Sequence, residues 1–194
     1  MELYEIVNLY GRVLTRILAI CRFFAIIAIS AMVVCILIQV FCRYVLNNAL
    51  PWPEEAARFF MLWMTGLVAP SAFRWGGFVS IDLIKDALGN FLGSVLNLLI
   101  LILSLAILIV TLSFAIRHIN SGWLFDSSSL RIPLSLIGLE TIKLKLAWVY
   151  MSLPLGFLLM FFVGIELIIQ QVHTLINPRV VYHDPEDKIE SAAE

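Results

Sequence analysis

The chain has 194 residues, 61% of them hydrophobic and only 14% Asp, Glu, Lys or Arg, with a mean hydropathy of +0.97. A soluble domain is nearer one quarter charged, so the excess apolar surface belongs in a bilayer and the chain reads as an integral membrane protein. A formal net charge of −1 argues against nucleic acid as a partner.

Residues 1–20 are amphipathic. Leu3, Ile6, Val7, Tyr10, Leu14, Ile17 and Leu18 recur at helical spacing, with Glu2, Glu5, Asn8, Arg12 and Arg16 largely opposite. That pattern predicts a helix lying in the membrane interface, or alternatively an N-terminal extension of the first span. No cleavable signal peptide is expected, because the apolar run from Phe23 to Cys42 exceeds a typical h-region and Glu2 and Glu5 precede it. The first span is expected over residues 21–46. Cys21, Cys35 and Cys42 all fall on it, and Cys35 and Cys42 would lie roughly 10 Å apart, too far for a disulfide.

An elbow follows, from Arg43-Tyr44 through Trp52 and Pro53 to Glu54-Glu55-Ala56-Ala57-Arg58. Ionisable groups beside a bilayer cost energy unless partnered, so this cluster is the leading candidate site. Glu54 and Arg58 have the favourable i,i+4 orientation, and Glu55 is three residues from the same arginine. Arg43, at the end of span 1, is placed to reach the start of span 2. Trp52 suits the headgroup level. An arginine beside each glutamate would hold both ionised, which suits a staple or a subunit dock better than acid catalysis.

The second span is expected over residues 52–75, interrupted by Pro70 and ended by Gly76-Gly77. Arg74 closes it, and Asp82, in a short amphipathic link over residues 78–90, is a candidate partner for that arginine. The third span is expected over residues 91–116. Residues 117–145 read as a mixed loop containing Gly122, Asp126, a Ser127-Ser128-Ser129 run, Arg131 and Pro133. Within it Ile132, Leu136, Leu139 and Ile142 mark a possible interfacial helix. The fourth span is expected over residues 146–169, with Pro154 and Gly156 inside it and Glu166 near its end. Residues 173–194 form a polar tail beyond a four-helix transmembrane bundle over residues 21–172.

The fold class is therefore an all-α membrane protein: four transmembrane helices, an N-terminal amphipathic interfacial helix and short interfacial link helices. Seven Lys or Arg on the terminal side face six on the other. Arg12, Arg16 and Arg22, on the N-terminal flank of span 1, tip the orientation toward both termini in the cytoplasm. No cofactor, metal or catalytic residue is expected. His118, His173 and His183 are not mid-span, and HExxH, GxSxG and Walker patterns are missing.

Arg43-Tyr44, the Leu50-Pro51-Trp52-x-Glu54-Glu55-x-x-Arg58 run, Trp63 and Arg74-x-Gly76 together resemble the small membrane subunit of TRAP (tripartite ATP-independent periplasmic) transporters, of the DctQ type. Val79-x-Ile81-Asp82-Leu83 continues the resemblance, and the run from Ala147-Trp148-Val149-Tyr150 to Pro154-Leu155-Gly156 resembles the family's fourth span. It implies a multi-pass protein of the bacterial inner membrane. Its partners would be membrane lipids, a large permease working by a sodium-coupled elevator motion and a periplasmic substrate-binding protein. The substrates would be organic anions: carboxylates, dicarboxylates or sialic acids. The implied structural or subunit-interface residues are Arg43, Tyr44, Trp52, Glu54, Glu55, Arg58, Trp63, Arg74, Asp82, Trp148, Tyr150 and Pro154. The rival readings are a stand-alone tetraspan proton-coupled carrier or membrane enzyme relaying protons through Glu166 and His173, and the small subunit of a tripartite tricarboxylate transporter.

Overall fold

A computed structural model describes residues 2–76, 90–132 and 142–176. Its elements in chain order are α1 (Glu2–Tyr44), α2 (Trp52–Arg74), α3 (Asn90–Gly122), β1 (Asp126–Ile132), β2 (Ile142–Lys145), α4 (Leu146–Tyr150) and α5 (Ser152–Ile176). Four stretches are helical, long and apolar enough to cross a membrane: Val7–Tyr44, Trp52–Arg74, Phe91–Gly122 and Leu146–Ile176.

Helix α1 is a single element of 43 residues. At about 1.5 Å per residue it is about 64 Å long, roughly twice the hydrocarbon thickness of a bilayer. It joins the amphipathic residues from Glu2 to Ile20 and the first span in one continuous helix. The apolar stripe foreseen there has its buried side at Val7, Leu14 and Leu18, while Ile17 is exposed. Past Tyr44 the chain stops being helical: Asn47 takes a positive φ of 47°, a conformation that Asn tolerates better than most residues. Its neighbours tie the helix end down, Val45 N–H donating to Phe41 O at 2.9 Å and Asn48 N–H to Cys42 O at 3.0 Å.

Helix α2 begins with Pro53, Glu54 and Glu55 in its first turn, where a missing N–H costs nothing and negative charge meets the positive end of the helix dipole. Pro70 cannot return an N–H to the Gly66 carbonyl. Beyond Arg74 the helix is closed by Gly76 at φ 74°, as the glycine pair led one to expect. Helix α3 runs six residues further than the expected end at 116, to Gly122.

The loop expected after span 3 is partly a β-hairpin. β1 and β2 pair antiparallel, Asp126 opposite Lys145, Arg131 opposite Lys143 and Ile132 opposite Ile142. Ile132 and Ile142, read from the sequence as marks of an interfacial helix, are strand residues here; Leu136 and Leu139 lie outside the described residues. Lys145 Nζ meets Asp126 Oδ1 at 2.6 Å across the base of the hairpin. The fourth span is broken once, at Met151, between α4 and α5. Pro154, three residues later, has no N–H for the Tyr150 carbonyl, and a break at this point follows.

The described chain forms two compact units. One comprises, of the described residues, 2–20, 69–76, 90–110 and 158–176, and Leu14, Leu18, Phe73, Leu101 and Val163 form its buried apolar cluster. The other comprises residues 21–68 and 111–157, with a small-residue cluster of Cys35, Ala56 and Ala57 against Met32, Phe60 and Leu130. In this second unit glycines bring helices close. A Cβ on Gly66 would sit 2.5 Å from the Ser152 carbonyl oxygen, and one on Gly156 2.6 Å from the Gly66 carbonyl that Pro70 leaves unbonded by the helix. Close backbone approach through small residues is the usual way membrane helices associate.

Candidate functional site

The elbow residues divide their work differently from the sequence expectation. Arg58 pairs with Glu54 through its Nη2, and Gln39 Nε2 donates to the other Glu54 oxygen at 3.4 Å. Both members of that pair are exposed, at 71% and 54% of their side-chain surface, so the pair is worth little to stability. Arg43 is exposed, its guanidinium 5.9 Å from the centre of the exposed Tyr44 ring.

Glu55 turns to the hairpin rather than to Arg58. Ser127 Oγ donates to its Oε1 at 2.6 Å, and Ser128 N–H to the same oxygen at 3.2 Å. Ser129 N–H donates to Oε2 at 2.8 Å and Ser128 Oγ at 3.3 Å, with the Ser129 hydroxyl completing the set. The irregular register between Asp126 and Arg131 frees these serines from the ladder. A bulge of this kind re-aims strand groups, here toward the start of α2. Ser127 is buried, and its Oγ also accepts the Leu130 N–H at 3.0 Å. One carboxylate thus holds three consecutive residues of β1 to the beginning of α2.

The aromatic residues singled out by sequence meet in the same unit. Trp63 Nε1 donates to the Trp148 carbonyl at 3.1 Å, joining α2 to α4. The Trp148 ring lies edge-on to Trp123, 6.4 Å between centroids. The Tyr150 ring packs against His118 of α3, 4.2 Å between centroids and tilted by 49°. Trp52 is half exposed and makes no hydrogen bond within the described residues.

The other unit contains a charged centre that the sequence had left split. Arg74 Nη2 donates to Glu166 Oε1 at 2.8 Å, and their side chains are only 4% and 0% exposed. Arg74 Nη1 donates to Thr15 Oγ1 at 2.6 Å, and Nη2 also reaches the Gly11 carbonyl at 3.5 Å. Thr15 Oγ1 in turn donates to Gly11 O at 2.8 Å, and Gln170 Nε2 donates to Glu166 Oε1 at 3.3 Å. Gly11 leaves room for this pair: a Cβ there would stand 2.6 Å from Glu166 Oε1 and would push the carboxylate from its place. The arrangement links α1, α2 and α5 through two opposite charges. Nearby residues of α3 and α5 add a neutral tie, Asn97 Nδ2 to Gln171 Oε1 at 2.9 Å and Gln171 Nε2 to Ser94 O at 3.1 Å. Asp82, the partner expected for Arg74, lies outside the described residues.

Sequence reasoning missed Gly11, Thr15, Gln170 and the serine run as partners. The signals were present but unconnected, in a lone acidic residue on span 4 and three consecutive serines after span 3. Chemically, both centres hold carboxylates among several donors and so suit them to binding chain segments together. Among the described residues no group of three or more His, Cys, Asp or Glu is placed to hold a metal.

Four helices long and apolar enough to span a membrane define a multi-pass membrane protein. The family model of tripartite ATP-independent periplasmic transporters, DctQ component, matches residues 32–174, a stretch that includes the elbow, the hairpin and Glu166. The chain belongs to this family of transporter components. A comparison with curated proteins finds no match.

Proposed function

We propose that the chain is the non-catalytic small subunit of a sodium-coupled TRAP transporter in the bacterial inner membrane, with both termini in the cytoplasm. It packs on the static scaffold of the large permease and widens it. The permease's moving domain then has a fixed frame to slide against while it takes up an organic anion delivered by a periplasmic binding protein. The class of anion is carboxylate, dicarboxylate or sialic acid. The observation that carries this reading is the DctQ match over residues 32–174. The disposition of charge supports it, because Glu55, Arg74 and Glu166 are engaged in bonds within the chain. The broad exposed apolar sides of α1 and α3, with Phe24, Ile27, Leu37, Leu103 and Phe114 outward, supply surface for lipid and permease.

The competing proton-relay reading relies on Glu166, and that carboxylate is held by Arg74 and Gln170. Purification of the tagged chain from its own membrane in mild detergent tests the proposal. The expected result is retention of a much larger polytopic permease. A chain that purifies alone and moves substrate by itself in liposomes would support the rival carrier.

A further inference from the structure

At the hairpin end of α3 an open groove of about 450 Å³ runs between that helix and the start of α5. Its floor is apolar, made by Phe114 and Ala115 from α3 and Leu153 and Phe157 from α5, with Thr111 at the deep end. Arg117, His118 and Ser121 line the other end. Thr111 to Ser121 spans about 15 Å of helix, half a hydrocarbon thickness. The groove therefore changes from apolar to cationic over one leaflet's depth.

Its level is marked independently. Trp123 and Trp148 pack edge to face just past the end of α3, both about half exposed. Tryptophan with that amphipathic exposure sits at the headgroup region of a bilayer. Arg117 lies a turn and a half below Trp123 and is exposed, with no carboxylate partner among the described residues. Its backbone lies about 9 Å of helix below the Trp123 level, and the long side chain carries the guanidinium up toward the phosphates, as arginine does near a membrane surface.

The dimensions favour a chain over a helix. Its length of about 15 Å matches one acyl chain within a single leaflet, whereas a helix crossing the bilayer needs about 30 Å. We propose that this groove is a binding site for an anionic phospholipid of the leaflet on the elbow side. One acyl chain lies on Phe114, Leu153 and Phe157, and Arg117 and Ser121 hold the phosphate. The site is distinct from the elbow and from the Arg74–Glu166 centre, and it does not depend on which substrate the transporter carries.

Native mass spectrometry of the purified full chain, offered phosphatidylglycerol and phosphatidylcholine with identical acyl chains, tests it. Phosphatidylglycerol should be retained about fivefold more strongly, the increment one cation contributes toward an anionic headgroup. Arg117→Gln should abolish that preference while leaving weak, headgroup-independent binding. Ala115→Phe, which fills the floor, should remove both lipids. If Ala115→Phe fails to fold, the Arg117→Gln comparison decides alone. Equal retention of the two lipids, unchanged by Arg117→Gln, would overturn the proposal. So would a cross-link from Leu153→Cys to a permease helix in a complex that carries no lipid at the groove.

Discussion

Glu54 and Glu55 are adjacent in sequence and differ widely in what they hold. Removing Arg58 should cost at most about 0.5 kcal/mol, because its pair with Glu54 is exposed. Glu55→Ala should cost about 1–2 kcal/mol, since it strands the buried Ser127 hydroxyl and the half-buried Ser129 N–H, while the Ser129 hydroxyl keeps the Pro51 carbonyl as an acceptor. Thermal unfolding of the purified chain in one detergent separates the two variants. A buried pair is a different case. Arg74→Ala should destabilise by about 3–5 kcal/mol, because it leaves Glu166 without its guanidinium in a site with no solvent access. The same measurement checks it, with Glu166→Ala as the reciprocal variant expected in the same range.

At the scale of elements, the turns and breaks follow from single residues. Pro154 interrupts the last span at Met151, Gly76 ends α2, and Gly66 with Gly156 allow α2 and α5 to touch backbone to backbone. Gly156→Leu should therefore cost about 3 kcal/mol, because the atom it meets is a main-chain carbonyl that cannot swing aside. A surface change such as Leu155→Ala serves as the control in the same unfolding series. The four spans were legible because apolar runs of this length admit one interpretation, and the Glu54–Arg58 pair because a helix brings residues four apart together. The hairpin was not legible: Asp126-Ser-Ser-Ser-Leu-Arg-Ile lacks the alternation that marks a strand, and what orders it is Glu55, 72 residues earlier. Arg74 and Glu166 are 92 residues apart, and no local pattern can match two charges across that distance. The sequence did show that each stood where an unpartnered charge would be costly.

At the scale of the whole molecule, Glu55, Arg74 and Glu166 are engaged in joining separate chain segments, and the DctQ match accords with such a chain being one component of a larger transporter. The central claim is that Arg74 and Glu166 serve assembly and take no part in moving substrate or protons. Buried ion pairs can often be replaced by apolar residues of similar volume without loss of stability, whereas removing one partner is strongly destabilising. The direct measurement is uptake by the complete transporter, reconstituted in liposomes with its binding protein, for Arg74→Met, Glu166→Met and the double replacement. The account expects each single variant to lose assembly and uptake together, and the double variant to recover most of both. A double variant that assembles with the permease at normal yield yet transports nothing would show that the charges themselves are used, and would contradict it.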